Sequence, residues 1–249
     1  MGIQSIPEHE LARLREKAKE ITGSQFDYQS SYTDLLSRRL NGEPLQYIEE
    51  YVPFYSIQIN VDQRCLIPRP ETEYMIEIIK NNIDTPKKIL DVGTGTGCIA
   101  LMMKKLFPAS EVHAVDISND ALSLAKENAE INNLEVNFYQ SDLLSNVETL
   151  DFDLIVANLP YIPTSTLSTL NKEVIDHEPL IALDGGEDGR LYIDKLQNDL
   201  KNIDSKELVL VLEVDTSHAE SLLSSFTDWE DVKLEKDLVE RDRYIVARK

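Results

Sequence analysis

The tetrapeptide Asn158-Leu159-Pro160-Tyr161 has the residue types and spacing to do chemistry on a planar nitrogen. It follows the apolar run from Phe152 to Ala157 and so falls where a buried strand ends. There the Asn158 side-chain oxygen and the Leu159 backbone carbonyl can each accept a hydrogen from an amide or amino group, while Pro160 stiffens the turn and Tyr161 packs over the substrate plane. A carboxamide nitrogen is a poor nucleophile, because its lone pair is delocalised into the carbonyl. A site that alkylates it must hold the nitrogen in line with the donor carbon and favour the charge that develops as the bond forms. No separate general base is required, since the proton turns acidic once the nitrogen is alkylated. The plainer alternative, a strand-ending Asn beside a proline-braced loop, loses ground to a second motif upstream.

That second motif is Lys88-Ile-Leu-Asp-Val-Gly93-Thr94-Gly95-Thr96-Gly97, which passes from a strand pattern into a glycine-rich turn and then a helical pattern from Cys98 to Phe107. Glycines let the turn approach a ligand, and the first turn of the following helix offers unpaired amide donors. The Gly-x-Gly-x-Gly spacing differs from the Gly-x-Gly-x-x-Gly of dinucleotide folds and shifts the expectation from NAD toward S-adenosylmethionine. Asp116 closes the next strand, twenty-three positions after Gly93, where a carboxylate can accept from both hydroxyls of a ribose. That acidic role is common to both cofactors and does not separate them. Asp142 and Leu143 end the third strand. Asp142 is a candidate for an adenine amino group and Leu143 for the flank of the ring, against the plain alternative of a strand-terminating acid and a core leucine. Cys98 reads as a small packing residue. Glycine turn and tetrapeptide together point to an S-adenosylmethionine-dependent nitrogen methyltransferase, with Asn158 beside cofactor and acceptor alike.

These residues need a frame to hold them. From Lys88 onward strands and helices alternate: strand 88–93, helix 98–107, strand 111–117, helix 119–132, strands 135–141 and 152–157, then, after a long loop, helix 189–203, strand 207–214, helix 217–226 and strands near 230–236 and 243–248. Such alternation implies an α/β fold with a mostly parallel, seven-stranded sheet covered by helices on both faces, whose ligands bind beyond the carboxyl ends of the strands. Ahead of it, Leu11, Leu14, Ala18 and Ile21 recur at helical spacing within 8–22, with Gly23 as a stop, and 32–40 reads as a second helix closed by Asn41-Gly42. Residues 1–43 are thus expected to form a small helical module, 44–66 a hairpin or linker built around Gln46 to Ile59, and 67–249 the methyltransferase domain, with a helix starting at Thr72.

Composition narrows the partners. With 25 basic and 45 acidic residues the formal charge is −20, a field that repels phosphate backbones and anionic membranes and disfavours direct nucleic-acid binding. Cys65 and Cys98 form no close pair and His9, His113, His177 and His218 are scattered, so no metal is expected and a reduced cytoplasm is the simplest setting. Met1 to Ile21 lacks a signal-peptide core, and no apolar run is long enough to span a membrane.

Several stretches carry a family resemblance: Leu45-Gln46-Tyr47-Ile48, Phe54-Tyr55, Leu66 to Glu73 (LIPRPETE), Asp91 to Ala100 (DVGTGTGCIA), Ala182 to Gly189 (ALDGGEDG) and Arg241 to Ala247 (RDRYIVA). From about residue 44 to its end the chain resembles the HemK/PrmC-type glutamine methyltransferases that modify peptide chain release factors. The resemblance implies a Rossmann-like class I fold. It also implies S-adenosylmethionine at Gly93 to Gly97, Asp116 and the Asp142-Leu143 corner, a Gly-Gly-Gln glutamine side chain at Asn158 to Tyr161, and Pro68 to Glu73 roofing the pocket. Leu159 stands where the family usually has a first proline, and Asp215 where it tends to have glycine. Asn-Leu-Pro-Tyr is also similar to the motif of adenine-N6 methyltransferases of ribosomal RNA, which keeps a base substrate as the alternative activity. A catalytically idle scaffold is the remaining one, disfavoured by the intact motifs.

Overall fold

Strands that are apolar at nearly every position must be covered on both faces, and the central strands of this chain are of that kind. The structure, a computed structural model, describes residues 6–22, 28–148, 151–201, 203 and 207–249. Helices α1 (Glu8–Thr22), α2 (Tyr28–Leu40) and α3 (Leu45–Glu49) lead into an antiparallel hairpin of β1 (Tyr51–Phe54) and β2 (Ile57–Asn60), followed by α4 (Pro70–Asn82). The alternating region then runs β3 (Lys88–Val92), α5 (Cys98–Leu106), β4 (Glu111–Asp116), α6 (Asn119–Asn132), β5 (Asn137–Gln140) and β6 (Leu154–Asn158). It continues through two short 3-10 turns flanking α7 (Lys172–His177), then α8 (Leu191–Leu200), β7 (Val209–Glu213), α9 (Ala219–Leu223), β8 (Asp231–Lys236) and β9 (Asp242–Arg248).

The seven strands of the main sheet stand in the order β5-β4-β3-β6-β7-β9-β8. Pairing is parallel from β5 through β7 and antiparallel on both sides of β9, so β9 alone is reversed. Successive side chains divide between two cores, as a two-residue period requires. Ile89, Leu154, Val156, Val209, Val211 and Tyr244 enter the core shared with α4 and α5. Leu90, Ile155, Ala157, Leu210, Leu212 and Ile245 enter the core shared with α8 and α9. This is the expected α/β, Rossmann-like arrangement with helices on both faces.

The amino-terminal helices have a core of their own, made of Leu14, Ala18, Leu35, Leu45 and Ile48. It extends past residue 43 because α3, expected as part of a hairpin, is a helical turn that closes over α1 and α2. The Arg13–Glu49 and Lys17–Glu50 ion pairs tie α1 to this turn, and Arg39 reaches Glu173 at 3.1 Å, joining α2 to α7.

Other boundaries shift for identifiable reasons. Helix α4 starts at Pro70, whose fixed φ and missing N–H suit a first helical position, so Thr72 lies inside the first turn and not at the cap. The expected long loop before α8 holds α7, capped by Asn171 accepting from the Glu173 N–H. The expected stop at Gly23 lies outside the described residues.

Ile155 is fully buried in the middle of β6. Ile155→Ala should lower the unfolding free energy by about 2–5 kcal/mol, while Val239→Ala on the exposed β8–β9 turn should stay within about 0.5 kcal/mol. Urea denaturation reads both, and a wild-type midpoint for Ile155→Ala contradicts the two-faced core.

Candidate active site

The same alternation that fills the α4/α5 core carries polar residues onto that face near the carboxyl ends of β3, β4, β6 and β7. Asp91 follows Ile89, Asp116 follows Ala114, Asn158 follows Val156 and Glu213 follows Val211, each two residues beyond a side chain of that face. Register sets them abreast: Asn158 pairs directly with Glu213. A cleft opens above this row, lined among others by Thr72, Gly93 to Thr96, Asp116, Asp142, Leu143, Asn158, Leu159 and Pro160.

The glycine turn is held from below. Gly93 and Thr94 donate to the Val115 carbonyl at 2.9 and 3.0 Å, and Gly95 N–H donates to Asp116 Oδ2 at 2.9 Å. Gly93 has φ +74°, and a Cβ there would meet the Leu159 side chain at 2.9 Å, so the turn and the tetrapeptide fit only with glycine at this crossing. Over Gly95, by contrast, a Cβ would meet nothing within 4 Å: that side of the turn faces the open cleft. Asp91 is fully buried, its Oδ2 accepting from Thr94 Oγ1 at 2.6 Å and from the Ala100 N–H at 3.1 Å, while its Oδ1 has no partner. Buried Asn128 on α6 bonds both Asn60 of β2 and the Thr96 carbonyl, fastening the hairpin to the turn.

At the other side of the cleft Asn158 Nδ2 donates to Thr72 Oγ1 at 2.9 Å. Thr72 Oγ1 donates in turn to Glu213 Oε2 at 2.8 Å, and Tyr161 OH lies 3.4 Å from Glu213 Oε1. Burial pushes the Glu213 carboxyl up to about 7, against the pull of its Thr72 bond and of Arg243. Burial likewise pushes the Tyr161 phenol up, so it remains neutral. The roof is built from two segments, Arg64 to Arg69 and Pro179 to Ala182. Glu178, almost entirely buried, joins them by accepting from Arg69 at 2.5 Å and from the Ile67 N–H at 3.0 Å.

The structure therefore brings the residues singled out in the sequence to one cleft, with three differences of placement. Of the expected roof Pro68 to Glu73, only Pro68, Arg69 and Thr72 line it. Gly97 stands behind the turn, against Ala125 of α6, and Tyr161 directs its hydroxyl to Glu213 beneath the cleft. Leu159 contributes more than a carbonyl, since its side chain is buried and covers Gly93. Just beyond β5 Asp142 is salt-bridged to Lys195 at 2.5 Å, and Leu143 takes the left-handed φ of +51°, a conformation rare for a branched side chain. Sequence reasoning missed Glu213. A lone carboxylate closing the otherwise apolar run Val209-Leu-Val-Leu was the available signal. Among the described residues no cluster of His, Cys, Asp or Glu is arranged to hold a metal ion, and no helix is long and apolar enough to cross a membrane.

Comparison with known proteins agrees with this geometry. Residues 70–187 match the family model of the methyltransferase small domain. The chain is 38% identical to the release factor glutamine methyltransferase of Koribacter versatilis over 226 residues, covering 90% of this chain and 81% of that one. It is 37% identical to the protein of the same name from Lactococcus lactis, covering 87% and 81%. Among solved structures, a methyltransferase from Pyrococcus furiosus superposes with a TM-score of 0.61 at 19% identity, covering 87% of this chain and 98% of that one. The E. cuniculi Mtq2–Trm112 complex, described as responsible for methylating the termination factor eRF1, does so with a TM-score of 0.55 at 22% identity, covering 75% and 99%. The last two likenesses speak to the fold.

Asp91 yields a pH prediction. Burial raises its carboxyl to about 7, outweighing the bonds from Thr94 and Ala100. The folded state then holds a proton that the unfolded chain has lost between about pH 4 and 7, so this group's contribution to stability is present below the window and disappears as pH rises through it. Asp91→Asn should therefore gain in melting temperature relative to wild type on going from about pH 5 to about pH 8. A difference that does not change with pH contradicts the assignment.

Proposed function

The chain belongs to the release factor glutamine methyltransferase family, and on that premise we propose which of its residues hold the cofactor, the glutamine and the protein substrate. The enzyme transfers a methyl group from S-adenosylmethionine to the side-chain amide nitrogen of the glutamine in the Gly-Gly-Gln loop of peptide chain release factors, a protein methylation in translation termination. When bound, the cofactor supplies an electrophilic methyl carbon on a sulfonium.

The residues in the cleft fit that cofactor. The open side of Gly95 and the unpartnered Asp91 Oδ1 lie where a glycine turn meets a cationic, amino-acid-bearing ligand. Gly93, Thr94, Gly95 and Thr96 form this cradle, and Gly97 sets the helix behind it. Each Asp116 oxygen takes one backbone N–H, from Gly95 and Ser118, and keeps acceptor capacity for a ribose hydroxyl. Asp142, anchored by Lys195, and Leu143 form the adenine corner.

The observation that carries the acceptor side is the Asn158 hydrogen bond. Its Nδ2 gives one hydrogen to Thr72, and in the reading proposed Oδ1, on the other side of the carboxamide of this cleft-lining residue, is the acceptor for the substrate. That oxygen and the Leu159 carbonyl take the two hydrogens of a glutamine amide, aligning the nitrogen and stabilising the positive charge it gains. Pro160 fixes the turn, and Tyr161 supports it from Glu213. The roof segments exclude water from the transfer. Two flexible glycines let the substrate glutamine extend into this narrow space. Residues 1–43 serve as a docking module for the body of the release factor, and the net charge of −20 argues against a polyanionic substrate. A cytoplasmic setting agrees with Cys65 and Cys98 being free and buried.

Asp116→Ala should weaken S-adenosylmethionine binding by roughly 1.5–3 kcal/mol in a protein that remains folded; unchanged affinity by calorimetry removes Asp116 from the cofactor site. Asn158→Ala should abolish transfer and largely spare cofactor affinity, and near-wild-type turnover would defeat the amide grip. A labelled-methyl assay should mark a release factor at its Gly-Gly-Gln glutamine, fail when that glutamine is changed to alanine, and leave ribosomal RNA unlabelled. Label on RNA alone would promote the adenine reading.

A further inference from the structure

Resting on the reading of Asn158 as the amide acceptor, we propose that Thr72 and ionised Glu213 are positioning residues that set which way the Asn158 carboxamide faces. The geometry is a directed chain. Asn158 Nδ2 donates to Thr72 Oγ1 at 2.9 Å and Thr72 Oγ1 donates to Glu213 Oε2 at 2.8 Å. A threonine hydroxyl has one hydrogen. While Glu213 is a carboxylate it can only accept, so the hydroxyl hydrogen is committed to it and Thr72 presents a lone pair to Asn158. The only Asn158 group that satisfies a lone pair is the NH₂, and the carboxamide oxygen is thereby turned to the substrate.

Protonation reverses the logic. A neutral Glu213 carries an O–H that can donate a hydrogen bond to Thr72 Oγ1, freeing the hydroxyl hydrogen to seek the Asn158 oxygen. The carboxamide then turns over and presents NH₂ to the glutamine NH₂, two donors facing each other, and the acceptor nitrogen loses its alignment. The one bond formed in this switch is the Glu213 O–H, with a proton from solvent; everything else is a change of hydrogen-bond direction.

The parts come together by construction. Asn158 and Glu213 are register partners on adjacent parallel strands, and Thr72 sits in the first turn of α4 above them because Pro70 begins that helix. The groups facing Glu213 are Glu71 and Thr72 from α4, Cys98 at the start of α5, Tyr161 from the turn after β6, and Arg243 and Tyr244 from β9. Burial and Glu71 favour the neutral acid, whereas Arg243, Thr72 and Tyr161 favour the carboxylate. The balance puts its titration at about 7.

The test is the pH dependence of kcat with the full chain, a release factor as substrate and saturating S-adenosylmethionine, so that ionisation of Asp91 beside the glycine turn acts on cofactor affinity and not on the rate measured. Wild-type kcat should fall about tenfold per pH unit below about pH 7. Glu213→Gln, which takes up no proton in this range, should lose this limb whichever way its carboxamide faces Thr72. Thr72→Val should lower kcat by about 10- to 100-fold with little change in cofactor affinity or in KM for the release factor, and Thr72→Ser should restore most of it. A limb that persists in Glu213→Gln, or wild-type turnover by Thr72→Val, overturns the relay. If Asn158→Ala is inactive in the same assay, only the relay is lost; if Asn158→Ala also turns over, the acceptor reading itself falls. Should Glu213→Gln not fold, the Thr72 pair decides alone.

Discussion

Register and two-residue alternation in a sheet buried on both faces are the constraint on which the site depends. Once the central strands must feed two cores, the parity of every side chain is fixed, and a one-residue slip would send each to the other face. Asp91, Asp116, Asn158 and Glu213 inherit that parity from apolar neighbours two residues earlier. The chemistry is therefore positioned by hydrophobic burial in strand interiors, with the polar residues set at or near the carboxyl ends of those strands.

The cost of this arrangement is two carboxylates in a poorly solvated place. Asp91 and Glu213 are almost wholly buried, and that burial pushes both carboxyls up to about 7. Neither is paired within hydrogen-bond distance to a cationic side chain among the described residues. Each is instead held by a threonine hydroxyl, Thr94 and Thr72, with the Ala100 N–H and the Tyr161 hydroxyl as further donors. Such hydroxyl–carboxylate contacts orient without neutralising, which suits a site that must bind a cation and align a weak nucleophile.

Much of this was legible in the sequence. The alternation of strands and helices, the glycine turn and the strand-ending tetrapeptide are local signals, and each landed within a few residues of its observed place. The helix of Leu45–Glu49 was not legible, because five residues with mixed aromatic and branched side chains resemble a strand until packed on α1 and α2. Nor was the network beneath Asn158. Thr72 and Glu213 are 141 residues apart in the chain, and only the register of β6 on β7 together with the entry of α4 brings them together. The roof clamp of Glu178 on Arg69 and Ile67, likewise a long-range pairing, left no local trace.

Neutron diffraction from the enzyme with S-adenosylhomocysteine and a Gly-Gly-Gln peptide tests the central claim most directly, because it sees hydrogens as deuterium. The account predicts the Thr72 deuteron directed at Glu213, the Asn158 ND₂ directed at Thr72, and the glutamine amide deuterons directed at Asn158 Oδ1 and the Leu159 carbonyl. An Asn158 oxygen facing Thr72, or a glutamine amide bound without it, would contradict the account.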